Sequence, residues 1–212
     1  MKKSAIVLIS ILALSQPVFA DFKEHFDLGQ QYLSNYQYSG AVTEFKNALR
    51  INYLDNSARI GLINSYLARG AYYANNEKNW EKAADDYRSA LFYMQYYPTA
   101  EAARNSVQGI GPVQSNLSKC LSISKFDTNP SSRFAKAKQL RAEGNFAAAA
   151  YEFNQSLGDK NYIKDSYTQV GDIMKLLGND PKAAEYYRKA ISVSPTDVSL
   201  RLSYAKLLDK LG

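Results

Sequence analysis

Cysteine, histidine and tryptophan are nearly absent: the 212 residues include one of each, Cys120, His25 and Trp80. A single cysteine excludes an intramolecular disulfide, so packing alone must hold the fold. One histidine and one cysteine in different parts of the chain do not make a metal cluster. The sequence has no H-E-x-x-H, no G-x-S-x-G and no phosphate loop. The Gly-Ile-Gly of residues 109–111 follows a helical stretch and precedes Pro112, so it lacks a strand–turn–helix setting. His25 reads as a partly buried or capping histidine, and Cys120 as a buried thiol on an apolar helix face. Asp85 and Asp86 are neighbours, which diverge on a helix, and they read as a solvated face. The chain is therefore read as non-enzymatic and without a cofactor.

Excess charge is also scarce. The formal charge is +6, and Lys2 and Lys3 account for two of those charges. A nucleic-acid binder gathers basic residues on one face or stripe. No such run exists, so nucleic acid is not an expected partner.

There is one long apolar run, at the N-terminus. In MKKSAIVLISILALSQPVFA, Lys2 and Lys3 precede an apolar core from Ala5 to Leu14, and Pro17 ends it. Val18 and Ala20 place small residues before Asp21. The segment reads as a cleaved bacterial-type secretory signal rather than a spanning helix, which needs about 20 apolar residues. Cleavage is expected before Asp21. The mature chain is expected in the periplasm or outside the cell, with no stable membrane insertion.

What the sequence does contain is a period. Residues Lys164–Asp197 span 34 positions and read as two short helices joined by a tight turn. With Lys164 as position 1, Tyr167, Val170, Gly171 and Met174 stand at 4, 7, 8 and 11, one helical face. Gly178 at 15 suits a left-handed helix end. Asp180 is placed to cap the next helix, with Pro181 in its first turn. Ala183, Tyr187 and Ala190 follow at 20, 24 and 27, and Pro195 at 32 ends the unit. Small residues at 8, 20 and 27 let two helices approach, and the aromatic at 24 fills the remaining volume.

The same phase recurs. Residues 22–55 carry Leu28-Gly29, Tyr32, Ala41, Phe45 and Ala48 at 7–8, 11, 20, 24 and 27, with His25 at 4 and Tyr53 in place of the proline. Residues 130–163 carry Leu140, Gly144, Ala149, Phe153 and Ser156 at 11, 15, 20, 24 and 27, while Lys136 departs from the apolar pattern at 7. A longer unit starts at Asn56. It has Leu62 and Tyr66 in its first helix, about eight extra residues around GAYYANNEK, and Ala83, Tyr87 and Ala90 in a second helix from Trp80 to Tyr97. Residues 98–129 are degenerate. Ala100–Gln108 reads as a helix, Gly109, Gly111 and Pro112 break it, and Val113–Ile123 reads as another before a loop at Lys125–Pro130. This stretch either continues the array or separates two sub-arrays. Residues 198–212 read as one more first helix, with Leu202, Tyr204, Ala205 and Leu208 as its repeat positions and Arg201, Lys206, Asp209 and Lys210 facing outward.

These positions resemble the tetratricopeptide repeat: Leu-Gly at 7–8, Tyr at 11, Ala at 20, an aromatic at 24, Ala at 27 and Pro at 32. The resemblance implies an all-α fold, a right-handed superhelix of helix pairs with residues 198–212 as a C-terminal capping helix. The expected organisation is a signal over 1–20, repeats one and two over 21–97, a degenerate pair and linker over 98–129, repeats three and four over 130–197, and the cap.

The resemblance also implies a binding surface. In such repeats positions 2, 5, 9, 12 and 13 of each first helix line a concave groove. Here they are Lys23, Phe26, Gln30, Leu33 and Ser34 in repeat one, and Ser57, Ile60, Asn64, Leu67 and Ala68 in repeat two. Repeat three supplies Ser131, Phe134, Lys138, Arg141 and Ala142, and repeat four Asp165, Thr168, Asp172, Lys175 and Leu176. A carboxylate-gripping subfamily has Lys at 5 and Asn at 9 of its first repeat. Phe26 and Gln30 stand there instead, so side-chain burial and amide hydrogen bonds are the expected grip. Such residues also pack against one another in a tightly wound array. The implied function is a scaffold or adaptor for a protein or peptide, in envelope assembly or secretion. A rival reading is a cell-wall glycan binder that stacks sugars on exposed tyrosines, with Tyr96 and Tyr97 as candidates.

The export reading predicts that intact-mass analysis of native protein gives an N-terminus at Asp21; an N-terminus at Met1 would contradict it.

Overall fold

The helices turn through single residues in the left-handed conformation: Tyr36 (φ 60°), Lys78 (55°), Lys125 (55°), Gly144 (76°) and Gly178 (78°). Tyr36, Gly144 and Gly178 hold position 15 of their repeats, and Lys78 holds the same place after the eight extra residues. At all five turns the next amide closes onto the helix just ended. Gln37 N donates to Tyr32 O, Asn145 N to Leu140 O and Asn179 N to Met174 O, each at 2.8 Å, Asn79 N to Tyr73 O at 2.9 Å and Phe126 N to Leu121 O at 3.0 Å.

The computed structural model describes residues 21–96, with the side chain of Tyr96 excepted, and residues 109–212. Among the described residues the regular structure is entirely helical. Residues 21–34 form α1. Then follow α2 (Tyr38–Ile51), α3 (Asn56–Tyr72), α4 (Trp80–Tyr96), α5 (Ile110–Ile123), α6 (Pro130–Ala142), α7 (Phe146–Gln155), α8 (Lys160–Leu176), α9 (Asp180–Val193) and α10 (Val198–Leu211). The chain divides into two compact units, Met1–Ser65 and Tyr66–Gly212, with the boundary inside α3. Among the described residues no helix is long and apolar enough to cross a membrane. The export segment 1–20, the helix expected at Ala100–Gln108, Tyr97 and Pro98 lie outside the described residues.

In the first unit α1 and α2 pack as an antiparallel pair. Ala41, Phe45 and Ala48 are fully buried on α2. The Phe45 ring fills the space above Gly29, where an added Cβ would lie 3.0 Å from the ring, and a Cβ on Gly61 of α3 would overlap it. His25 is half-buried and its Nδ1 lies 2.6 Å from Glu44 Oε2 across the pair.

The second unit repeats this construction. The C-terminal half of α3 packs on α4, where Tyr66 and Tyr93 stack at 6.2 Å and the Tyr87 ring covers Gly70. The extra residues extend α3 to Tyr72 and close it with one wide turn, Tyr73–Glu77. α4 packs on α5 and α7, α6 on α7, α7 on α8, α8 on α9, and α9 on α10. In the α8–α9 pair the Tyr187 ring sits 2.8 Å from where a Gly171 Cβ would be. These helix boundaries and packing positions make the fold all-α and of the tetratricopeptide type.

Several expectations are corrected. Asp85 and Asp86 are not a solvated face. Asp86 is buried and takes a two-point bond from Arg69, Nε to Oδ2 at 2.9 Å and Nη2 to Oδ1 at 2.7 Å, and Asp85 is half-buried against Arg88. Gly111 and Pro112 lie in the first turn of α5, which begins at Ile110 rather than at Val113. Gly109 precedes α5, and Pro112 falls in its first turn, where a missing N–H leaves no gap in the ladder. Asn179, not Asp180, caps α9, accepting from Lys182 N at 3.2 Å. α8 starts at Lys160 under the Asp159 cap, four residues before the repeat phase begins. On α10 the buried side chains are Leu200 and Leu207. Leu202 and Leu208 lie on the exposed side, and Lys210 turns back to bond Asp180 Oδ2 at 2.5 Å.

Two position-24 tyrosines resist ionisation. Tyr87 is pushed from its ordinary 10 up to about 12 by burial first, with Cys120 and Asp86 adding to it. Tyr187 is raised by burial and by its bond to Asp172. A phenol whose folded value is raised contributes stability that is intact below the unfolded value and lost as pH rises through the folded one. Urea midpoints should therefore hold to about pH 10 and fall between about 10 and 12, less steeply in Tyr87→Phe. A flat profile in the wild type would contradict the burial of these phenols.

Candidate functional site

In the second unit the first helices α6 and α8 lie one repeat apart. α6 starts where Asn129 accepts from Ser132 N at 2.8 Å, with Pro130 in its first turn. α8 starts where Asp159 accepts from Asn161 N at 2.9 Å. Between them runs a groove of about 570 Å³ lined by Phe134, Lys138, Arg141, Ala142, Asp165 and Gln169. Lys138 and Arg141, marked in the sequence, are brought together here with Phe134, Ala142 and Asp165 from the same set of positions.

The groove has an aromatic base and a charged rim. Phe134 stacks on Tyr162 at 4.7 Å and meets Phe153 edge-on at 5.4 Å. The Arg141 guanidinium donates to Gln169 Oε1, and its Nη2 lies 3.6 Å from Asp172 Oδ2. Asp172 also accepts from Tyr187 Oη at 2.8 Å, so the groove rim is tied to the packing core of the α8–α9 pair. Lys138 is exposed and has no ion-pair partner among the described residues. Asp165 lies 3.4 Å from Lys164.

The other sequence-marked residues are less alike. In the first unit Lys23 is exposed and paired with Asp27 at 2.9 Å. Phe26 lies between Phe22 at 6.1 Å and Phe45 at 5.9 Å, so it serves packing. Gln30 is exposed, while Leu33, Ile60 and Asn64 are half-buried. Leu67, in the second unit, is half-buried as well. The side chain of Tyr96, and all of Tyr97, lie outside the described residues. Of the other repeat-two aromatics, Phe92 and Tyr93 are buried, Tyr72 is exposed, and Tyr73 lies under the Lys82 ammonium at 5.3 Å. Cys120 is buried, and burial pushes its thiol up, which suits an inert side chain. Among the described residues no group of three or more His, Cys, Asp or Glu could hold a metal ion.

Sequence reasoning missed a buried ion network in this unit. Glu152 of α7 is 0% exposed; its Oε1 accepts from Arg88 Nε at 2.5 Å and its Oε2 from Arg133 Nη1 at 3.0 Å. Arg88 Nη1 also bonds Asp85 Oδ1 at 2.8 Å, and Lys136 Nζ approaches the same oxygen at 3.7 Å. A signal was present: Glu152 interrupts the apolar run Phe146–Phe153, and Lys136 occupies an apolar repeat position.

No family model and no curated protein matches the chain. Solved structures do. A thermophilic tetratricopeptide protein of Thermus thermophilus, TTC0263, matches at 17% identity over 88% of this chain and 98% of its own, with a TM-score of 0.35. PilF of Pseudomonas aeruginosa matches at 16% over 92% and 70%, with a TM-score of 0.36. YrrB, a tetratricopeptide protein with an unusual peptide-binding site, matches at 19% over 86% and 90%, with a TM-score of 0.34. With TM-scores this low, the fold class rests on the helix boundaries and packing positions above.

Removing the central acid leaves the buried Arg88 guanidinium with Asp85 alone and strips the half-buried Arg133 of its carboxylate. Glu152→Ala should therefore lower the unfolding free energy by about 3–5 kcal/mol, read by urea denaturation. A loss within about 0.5 kcal/mol would contradict a buried, fully bonded Glu152.

Proposed function

We propose that the protein is an exported, non-catalytic scaffold that holds a segment of a partner protein on the first-helix face of α6 and α8. The observation that carries this is the groove itself. An open trough of about 570 Å³ places a phenylalanine beneath Lys138 and Arg141 on one side and Asp165 and Gln169 on the other. An apolar anchor inside a polar rim is the make-up of a peptide-binding surface. The cations suit acidic or carbonyl groups of the bound segment, and the amide of Gln169 suits its backbone. No nucleophile–base pair stands in the groove, and its residue types serve recognition rather than turnover. The N-terminal segment supports action outside the cytoplasm, in envelope assembly or secretion.

Site-specific photo-cross-linking tests this. A photoreactive residue at Lys138 should give a discrete adduct in intact cells, while one at Ser192, exposed on the second helix α9, should not. Charge reversal of the rim, Lys138→Glu with Arg141→Glu, should lower the adduct yield at least about tenfold with helical content unchanged. Equal labelling from both positions, or none from Lys138, would overturn the groove as the contact surface.

A further inference from the structure

The last helix carries apolar side chains on the face it turns away from the array. Among the described residues ten large apolar side chains are exposed, and four of them lie on α10: Val198, Leu202, Leu208 and Leu211. Leu200 and Leu207 are buried and hold the side turned to α9. At about 100° per residue, Ala205 falls nearly opposite them, with Leu202 and Leu208 about 60° to either side of it. Ala205 is exposed as well. Apolar groups gathered on one face, rather than scattered singly, mark a contact surface.

The charges on this face indicate what covers it. Arg201 and Asp209 stand about 40° to either side of Ala205. Both are exposed. Among the described residues Asp209 has no ion-pair partner, and Arg201 makes one long bond, 3.5 Å to Pro195 O. The order along the helix is Arg201, Leu202, Ala205, Leu208, Asp209, which is symmetric about Ala205 in position and opposite in charge at its ends. An antiparallel copy related by a two-fold axis at Ala205 would set Arg201 level with Asp209 of that copy, and Leu202 level with its Leu208, each twice. Ala205 would meet its own counterpart, and its small side chain lets the two helix axes come close. A parallel copy in register would set arginine on arginine and aspartate on aspartate. The other cations of α10 lie off the face: Lys210 turns to Asp180, and Lys206 points about 100° away from Ala205.

We propose that α10 is a self-association surface, on which two copies of this chain pack antiparallel about a two-fold axis at Ala205. Leu202 and Leu208 form the apolar centre, and two Arg201–Asp209 ion pairs form the rim. One helix pair buries less than the roughly 1,200 Å² of a standard interface, so the dimer is a transient one, with Kd on the order of 100 μM.

Sedimentation velocity on the purified protein, from about 10 μM to about 1 mM at low salt, tests this. The wild type should pass from monomer to dimer across that range. Leu202→Asp, with the helical signal unchanged, should stay monomeric. Arg201→Asp and Asp209→Arg should each weaken association about fivefold or more, because each sets like charges at both rim positions. Mixed one to one, these two variants should associate within about twofold of the wild type, since every rim pair is then opposite in sign. A wild type that is monomeric throughout, which would leave the face to a different partner, would overturn the proposal. So would a dimer that survives Leu202→Asp, or a mixture of the two charge variants no tighter than either alone.

Discussion

An aromatic ring pressed against a glycine sets the distance between the helices of a pair. Phe45 stands over Gly29, Tyr187 over Gly171 and Tyr87 over Gly70, and in the first two a Cβ would come to 3.0 Å or closer. Around each ring the flanking alanines, Ala41 and Ala48, Ala183 and Ala190, Ala83 and Ala90, are fully buried. Burying a large apolar side chain stabilises by about 1.5–3 kcal/mol, and the fit is what gives the pair one geometry. Each glycine is a poor helix former by about 1 kcal/mol relative to alanine. The ring contact offsets that cost, because alanine there would push the aromatic out.

Where a repeat departs from this pattern, the departure is matched by a partner elsewhere. Ser156 replaces the alanine expected at position 27, and its hydroxyl meets Ser166 Oγ at 2.7 Å in the core. Lys136 replaces an apolar residue at position 7 and approaches Asp85 of α4. Glu152 sits beside the position-24 Phe153 and binds Arg88 of α4 and Arg133 of α6. Desolvating such charges is expensive, so they add little net stability and are better suited to fixing which helices pair. The second unit is thus tied by polar contacts specific to this chain, laid over packing common to all its repeats.

That difference explains what the sequence revealed. Packing within a repeat is local, and its period places Phe45, Tyr187, Gly144 and Gly178 without a structure. Contacts between repeats are not periodic. Asp86 and Arg69 look like surface charges until α3 lies against α4. Arg88 and Glu152 are far apart in sequence, and nothing local joins them. The face of α10 was misread for a related reason. Leu208 falls on position 11, which in a full repeat packs inside the pair, and Leu202 on position 5, a groove position, whereas the buried side chains are Leu200 and Leu207. The groove lay between these cases: its lining positions apart from Gln169 were legible from repeat phase, but the bond from Arg141 to Gln169 and the link through Asp172 to Tyr187 were not.

The groove depends on the helices keeping their spacing, since Asp172, the ion-pair partner of Arg141, is held by the same Tyr187 that covers Gly171. The measurement that tests this most directly is a double-mutant cycle on Gly171→Ala and Tyr187→Leu, read as unfolding free energy. If the ring sets the spacing, alanine at 171 destabilises the wild type by about 1–3 kcal/mol. The same change should cost little or become favourable once Tyr187 is leucine, giving a coupling of about 1 kcal/mol or more. Strictly additive effects would contradict the account.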